Sequence, residues 1–210
     1  MKIRILTIIA VATLSATTSA SATTFSNAYS TDIFYFGYPD TTSYGETFNL
    51  ASSQTLNSWS FYASSGGAGN MQLVIAGWDG SKAVGPALYQ SADLSYSGGT
   101  QTLGFSNIDT ALSAGSYIAY ITVAGVVNPV TNMGIAGSNT DGGLGGSFMY
   151  SNSSGTDPLT LNTSWSNYSV PDMQYTAAFN NSSAVPEPAS LALLGLGLAG
   201  AVAVRRRKSA

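Results

Sequence analysis

Short stretches in which apolar and polar residues alternate run between clusters of Gly, Asn, Asp and Ser along most of the chain. Alternation of this kind is typical of strands, because successive side chains of a strand point to opposite faces of a sheet. Ser58–Tyr62 is the clearest example and predicts Trp59 and Phe61 on one face. The apolar stretch Met71–Trp78 predicts another strand, and the Asp-Gly pair after it favours a tight hairpin turn.

The stretch Ser116–Val123 is apolar on both of its faces, which predicts a central strand covered on both sides. Further strands are predicted at Ala87–Gln90, Gln101–Phe105, Met133–Ala136, Ser147–Tyr150 and Met173–Phe179. About nine or ten strands separated by turn signals indicate an all-β fold, an antiparallel β-sandwich of jelly-roll type. Leu112–Gly115 is interpreted as one short helical turn, and Tyr38–Phe48 as an aromatic-rich loop.

The N-terminus has the composition of a secretory signal peptide. Lys2 and Arg4 precede an apolar stretch of ten residues, Ile5–Leu14, and small residues follow up to Ala20 and Ala22. This order predicts a signal peptide over residues 1–22 that is cleaved after Ala22, with Ala20 in the recognition sequence. The alternative is an N-terminal membrane anchor, for which ten apolar residues are too few.

The C-terminus contains three different segments. Val185-Pro186-Glu187-Pro188 comes first, followed by 16 uncharged residues, 189–204, and by the basic cluster Arg205, Arg206, Arg207 and Lys208. The prolines favour an extended backbone before the apolar segment. A helix of that length covers roughly 24 Å, so it spans a bilayer core of roughly 30 Å only with local thinning. Because the basic cluster favours the cytoplasmic side, the chain before residue 189 is expected outside the cytoplasm.

Together these three segments resemble the PEP-CTERM sorting signal of Gram-negative bacteria. The resemblance covers residues 185–208 and implies recognition by an exosortase, a membrane-embedded cysteine transpeptidase, with cleavage near Pro186-Glu187-Pro188. It also implies an association with exopolysaccharide, and hence a place on the cell surface or outside the cell. The alternative is an ordinary membrane anchor over residues 189–204 that is never cut.

Removing both terminal signals changes the charge of what remains. Residues 23–184 include nine acidic residues and one basic residue, Lys82, so the formal charge of this region is −8. A surface of this sign repels phosphate backbones, and nucleic acid is therefore not expected as a partner. About 160 residues suit a single domain. We assign the sandwich to residues 23–179 and a polar linker to residues 180–184.

The chain contains neither histidine nor cysteine. This composition excludes catalytic Ser-His-Asp triads, Cys-His pairs, histidine-bound zinc sites and thiol chemistry. Paired carboxylates are the remaining catalytic option, because a glycosidase needs only two of them. Asp40 and Glu46 are the candidates, although acids scattered along a domain, as here, usually stabilise turns and keep the surface soluble. We therefore predict that the protein is not an enzyme, with a glycosidase that uses Asp40 and Glu46 as the alternative.

Trp165 and Tyr168 are candidates for a carbohydrate contact. Both lie in a stretch rich in Asn, Ser and Thr, and a ring in such surroundings can stack on a sugar while its neighbours bond the hydroxyls. The alternative is that Trp165 is buried and covers one end of the sandwich. Tyr35, Tyr38 and Tyr44 form a second aromatic group of the same kind.

Oxygen-rich loops at Asn139–Asp141 and Ser153–Asp157 have the ligand types of calcium sites. Neither contains the Asp-x-Asp-x-Asp-Gly order of a calcium loop, so we predict no metal and no cofactor. Asn-x-Ser/Thr triplets begin at Asn152, Asn162, Asn167 and Asn181. We interpret these triplets as products of the composition rather than as glycosylation sites.

Overall fold

The computed structural model describes residues 22–152, 165–168 and 172–181. In this part of the chain there are fourteen β-strands and no helix. The strands are β1 (Ala22–Ser26), β2 (Thr31–Phe36), β3 (Ser43–Leu50), β4 (Gln54–Ser65), β5 (Gly69–Trp78), β6 (Ala83–Gln90), β7 (Leu94–Tyr96), β8 (Gln101–Leu112), β9 (Gly115–Thr122), β10 (Met133–Ser138), β11 (Phe148–Ser151), β12 (Ser166–Asn167), β13 (Asp172–Met173) and β14 (Tyr175–Asn181).

The strands form two antiparallel sheets of seven strands each. Sheet I has the order β1-β14-β4-β10-β13, with β2 also paired to β10 and β8 to β4. Sheet II has the order β12-β11-β3-β9-β5-β6, with β7 also paired to β5. The predicted all-β antiparallel fold is therefore confirmed, and its jelly-roll form stays a prediction.

Aromatic side chains fill the space between the sheets. In β4 of sheet I, Trp59 and Phe61 are fully buried and alternate with partly exposed neighbours, as the sequence pattern predicts. The Trp59 ring lies 5.0 Å from the ring of Phe48 in sheet II and stacks at 5.2 Å on Tyr175 of sheet I. Ring contacts across this layer add to the burial of apolar area that holds the sheets face to face.

Strand β9 is covered on both faces, as predicted. Its side chains from Tyr117 to Thr122 are all buried. Ala119 and Ile121 join the core between the sheets. Ile118 and Tyr120 join a second apolar cluster on the outer face of sheet II.

The predicted hairpin after Met71–Trp78 is present as the antiparallel pair β5 and β6. Oδ1 of Asp79 accepts hydrogen bonds from the backbone N–H groups of Ser81, over 2.8 Å, and Lys82, over 2.9 Å. These bonds favour the ionised carboxyl and lower the pKa of Asp79. This acid therefore serves the turn, and Lys82 lies half-buried at the end of the same turn.

Three interpretations of the sequence are wrong. Most of the predicted loop Tyr38–Phe48 belongs to β3, a nearly fully buried strand whose polar groups are bonded inside the protein. Leu112–Gly115 forms no helical turn, because Leu112 ends β8 and Gly115 begins β9. Residues 180 and 181 belong to β14 rather than to the predicted linker, since they pair with Thr55 and Gln54 of β4.

We predict that Gly146→Ala lowers the free energy of unfolding by about 2 kcal/mol or more. Gly146 has a φ of +137°, and an added Cβ would collide with the backbone carbonyl of Thr47. Gly67→Ala is the matched control, because a Cβ there meets nothing within 4 Å; it should change stability by less than about 0.5 kcal/mol. Urea unfolding curves of both variants test this, and equal stabilities would contradict it.

Candidate functional site

Two carboxyl groups meet where the two sheets contact each other. Glu46 on β3 of sheet II is 2% exposed, and Asp172 on β13 of sheet I is 4% exposed. Their side chains share a hydrogen bond, and the backbone N–H of Met173 donates to Oε2 of Glu46 over 2.7 Å. A hydrogen bond between two carboxyl groups requires a proton on one of them. A hydrogen bond between two carboxyl groups, one of them protonated, therefore links the two sheets.

Glu46 is the protonated member of this pair. Burial raises its pKa well above the usual range, and the negative charge of Asp172 raises it further. Burial also raises the pKa of Asp172 to about 6, although the hydrogen bond from Glu46 opposes this shift. Asp141 also raises both pKa values by its charge. At neutral pH the protonated carboxyl of Glu46 thus donates a hydrogen bond to the Asp172 carboxylate.

The partner of Glu46 is therefore Asp172 and not Asp40, the other candidate of the predicted carboxylate pair. Asp40 lies exposed in the turn before β3, where its N–H donates to the carbonyl of Gly37 over 3.0 Å. A glycosidase holds its two carboxyl groups on either side of a bound substrate. Glu46 and Asp172 are instead buried against each other, an arrangement that serves the contact between the sheets.

Asp141 organises the loop between β10 and β11. Its Oδ1 accepts hydrogen bonds from the N–H groups of Gly143, over 2.8 Å, and Gly145, over 3.2 Å. An added Cβ at Gly142 would collide with the hydroxyl of Tyr175, so the loop passes directly over that ring. Among the residues that the structure describes, no group of three acidic, histidine or cysteine side chains is placed to hold a metal ion.

Trp165 is buried, with 5% of its surface exposed. Its ring meets those of Tyr120 at 5.1 Å and Trp78 at 6.3 Å, both edge to face, and its backbone N–H donates to the carbonyl of Ser81 over 2.8 Å. This position matches the alternative interpretation, burial, although Trp165 covers the outer face of sheet II rather than one end of the sandwich. Its ring therefore offers no open face to a sugar.

Tyr168 is 60% exposed and lines a cavity of about 190 Å³ together with Phe34, Tyr44 and Tyr150. Tyr44 is itself buried, and burial raises its pKa to about 12. Tyr35 and Tyr38 are 52% and 40% exposed. The three tyrosines of the second predicted aromatic group are thus divided between the core and the surface.

The residues predicted for sorting and cleavage lie mostly outside the described part of the chain. These are Ala20, Val185, Pro186, Glu187, Pro188 and the basic cluster Arg205–Lys208. Asn162, which begins one of the Asn-x-Ser/Thr triplets, also lies outside it. Ala22 is the first residue of β1 and pairs with Asn180. Asn152 and Asn167 are exposed, and Asn181 ends β14. The part of the chain that the structure describes contains no helix long and apolar enough to cross a bilayer.

The family model for the PEP-CTERM protein-sorting motif matches residues 184–208. The chain thus carries this motif, at the place where the three C-terminal segments predict it. The motif indicates that the protein is exported and sorted to the cell envelope or surface by an exosortase. No curated protein matches the chain.

Two solved structures are similar to part of the chain. One is a structure of infectious bursal disease virus, Gt strain, with 12% identity and a TM-score of 0.28. The other is a mutant VP2 protein of infectious bursal disease virus in T=1 particles, with 11% identity and a TM-score of 0.28. Each match covers 86% of this chain, which spans about half the length of the viral chains, 49% and 47%. At these TM-scores the similarity carries no argument about fold or function.

We predict that Glu46→Gln changes the pH dependence of stability. Between the ordinary pKa of a glutamate, about 4.3, and its raised value in the folded protein, Glu46 holds a proton that the unfolded chain releases. The free energy of unfolding of the wild type therefore falls as pH rises through this window, by up to about 1.4 kcal/mol per pH unit. The glutamine side chain of the variant cannot titrate, yet its amide can donate to Asp172 and accept from Met173.

The stability of Glu46→Gln relative to wild type should therefore rise between pH 5 and pH 8, measured by urea unfolding at each pH. Asp40→Asn is the control, because Asp40 is exposed and lies outside the pair, and it should keep the wild-type profile. Parallel profiles for wild type and Glu46→Gln would show that Glu46 does not hold the proton.

Proposed function

We propose that this chain is a non-enzymatic surface or secreted protein that an exosortase cleaves near Pro186-Glu187-Pro188 and that associates with the exopolysaccharide of the cell. The observation that carries the proposal is the PEP-CTERM motif at residues 184–208. After cleavage the domain is released to the surface or the surrounding matrix. Before cleavage it is held by residues 189–204.

The chemistry of the domain supports a role without catalysis. The chain has no histidine or cysteine, and Lys82 is the single basic residue between residues 23 and 184. Glu46 and Asp172 are hydrogen-bonded to each other, and Glu46 also accepts a hydrogen bond from the Met173 N–H. Asp79 and Asp141 each accept hydrogen bonds from backbone N–H groups of their own turns. Each of these acids therefore already has a structural task.

The surface composition supports a place in a hydrated polymer. Residues 23–184 carry a formal charge of −8 and are rich in Ser, Thr, Asn and Gly. A surface with these properties is soluble, repels other anionic surfaces and presents many hydroxyl and amide groups. Such groups bind the hydroxyls of a polysaccharide without a need for charge pairing.

Intact-mass measurement of the extracellular protein should give a product that lacks Arg205–Lys208. Replacing Pro186, Glu187 and Pro188 by alanine should leave the tail attached and the protein in the membrane fraction, because the processing enzyme loses its recognition sequence. Ser182→Ala with Ser183→Ala, just before the motif, is the matched control and should be processed like wild type. A mature wild-type protein that still carries its basic end would overturn the proposed processing.

Incubation of the purified domain with the exopolysaccharide of the producing cell should release no new reducing ends. The expected result follows from the burial of Glu46 and Asp172, which leaves neither carboxyl group open to a sugar. Release of saccharide that Glu46→Gln abolishes would establish a glycosidase instead.

A further inference from the structure

A cavity of about 410 Å³ lies on the outer face of sheet I, and none of the sequence-predicted sites includes it. It lies where β4 changes its partner strand. Phe61 pairs with Tyr175 of β14, whereas Ala63 pairs with Ile135 of β10. Tyr62 lies between these positions, and its side chain points away from the core that Phe61 and Ala63 enter. The change of partner thus leaves a depression beside Tyr62.

Polar side chains from three strands line this cavity, and three of their atoms have no hydrogen-bond partner within the protein. These atoms are Oδ1 of Asp32 on β2, Oγ of Ser64 on β4 and Nε2 of Gln101 on β8. Buried polar atoms are almost always bonded, because an unsatisfied one is costly. An acceptor, a hydroxyl and an amide donor that lack partners around one cavity are typical of a site that binds a polar molecule.

Two tyrosine rings complete the lining. Tyr29 is 58% exposed and lies in the turn between β1 and β2. The hydroxyl of Tyr62 is 2.9 Å from Oγ1 of Thr176, which fixes the position of the second ring. Thr100 and Thr102 add further hydroxyl groups, and Oγ1 of Thr100 donates to the backbone carbonyl of Ser64. Rings with apolar faces beside hydroxyls and an amide match the alternating C–H and O–H surfaces of a sugar.

The negative charge of the cavity and of the surrounding domain favours neutral over acidic sugars. Asp32 is the only acidic residue of the lining, which contains no lysine or arginine. The rest of residues 23–184 carries further negative charge. A uronic acid, sulfated or phosphorylated sugar would be repelled, whereas a neutral sugar can donate its hydroxyls to the Asp32 carboxylate.

We propose that this cavity binds a neutral saccharide, with Tyr29 and Tyr62 in contact with the ring faces and Asp32, Ser64 and Gln101 bonded to hydroxyls. The proposal rests on the proposed association with exopolysaccharide, since it names the site and the class of sugar. It moves the carbohydrate contact from Trp165 and Tyr168 to the opposite sheet.

The test uses the purified domain and an immobilised panel of neutral oligosaccharides built from glucose, galactose, mannose and N-acetylglucosamine, with trigalacturonic acid as the acidic probe. The wild type should bind at least one neutral probe and not trigalacturonic acid. Calorimetry with the bound probe should then show a loss of at least about tenfold in affinity for Tyr29→Ala and for Gln101→Ala. Tyr168→Ala is the matched control, because Tyr168 is 60% exposed and lies outside the cavity.

Ser64→Ala separates binding from folding. Because Oγ of Ser64 has no partner within the protein, its removal should leave the thermal midpoint unchanged or raised while the affinity falls. Absence of binding to every neutral probe, preference for the acidic probe, or a loss confined to Tyr168→Ala would each overturn the proposal. Intact-mass analysis of the same proteins keeps the two ideas apart, since a processed wild type without affinity contradicts the saccharide site alone.

Discussion

The scarcity of positive charge determines which groups stabilise the carboxyl side chains of this domain. Between residues 23 and 184 nine carboxyl groups share a single lysine, so ion pairing cannot satisfy them. Asp79 and Asp141 bind backbone N–H groups, and Oδ1 of Asp93 accepts from Nε2 of Gln72 over 2.6 Å. Glu46 is too deeply buried for water to satisfy it. It keeps its proton instead and donates a hydrogen bond to Asp172, because an ionised carboxyl without a partner is very unfavourable in the core.

With so few charges, the sheets depend on apolar contacts on more than one face. The core between the sheets contains Trp59, Phe48 and Tyr175 in direct ring contact. Sheet II needs a second cover because β5 and β9 carry apolar side chains on both faces, and Trp165 lies in that cover. The polar stretch around Trp165 therefore supplies one buried ring to the sheet and leaves Tyr168 at the surface.

The sequence pattern predicts those strands and turns that depend on neighbouring residues. The alternation around Trp59, the apolar faces of β9 and the Asp-Gly turn after β5 all follow from neighbouring residues, and the structure contains each of them. Strand β3 was missed because its Ser, Glu and Thr side chains resemble those of a loop, and their partners come from distant parts of the chain. Ser43 bonds Thr122, and Glu46 bonds Asp172 and Met173. Neither the carboxyl pair nor the cavity beside Tyr62 has a local signal, because sheet pairing alone brings these residues together.

The strands of the domain and the sorting motif occupy different parts of the chain. Strand β14 lies between β1 and β4 in sheet I and ends at Asn181, which pairs with Gln54. The sorting motif begins only at residue 184, so the proposed cleavage near Pro186-Glu187-Pro188 would remove only residues that follow every described strand. At the other end, cleavage after Ala22 would take one residue from β1 and leave Thr23–Ser26 paired with β14. Both proposed cleavages would therefore preserve sheet I, and with it the cavity beside Tyr62.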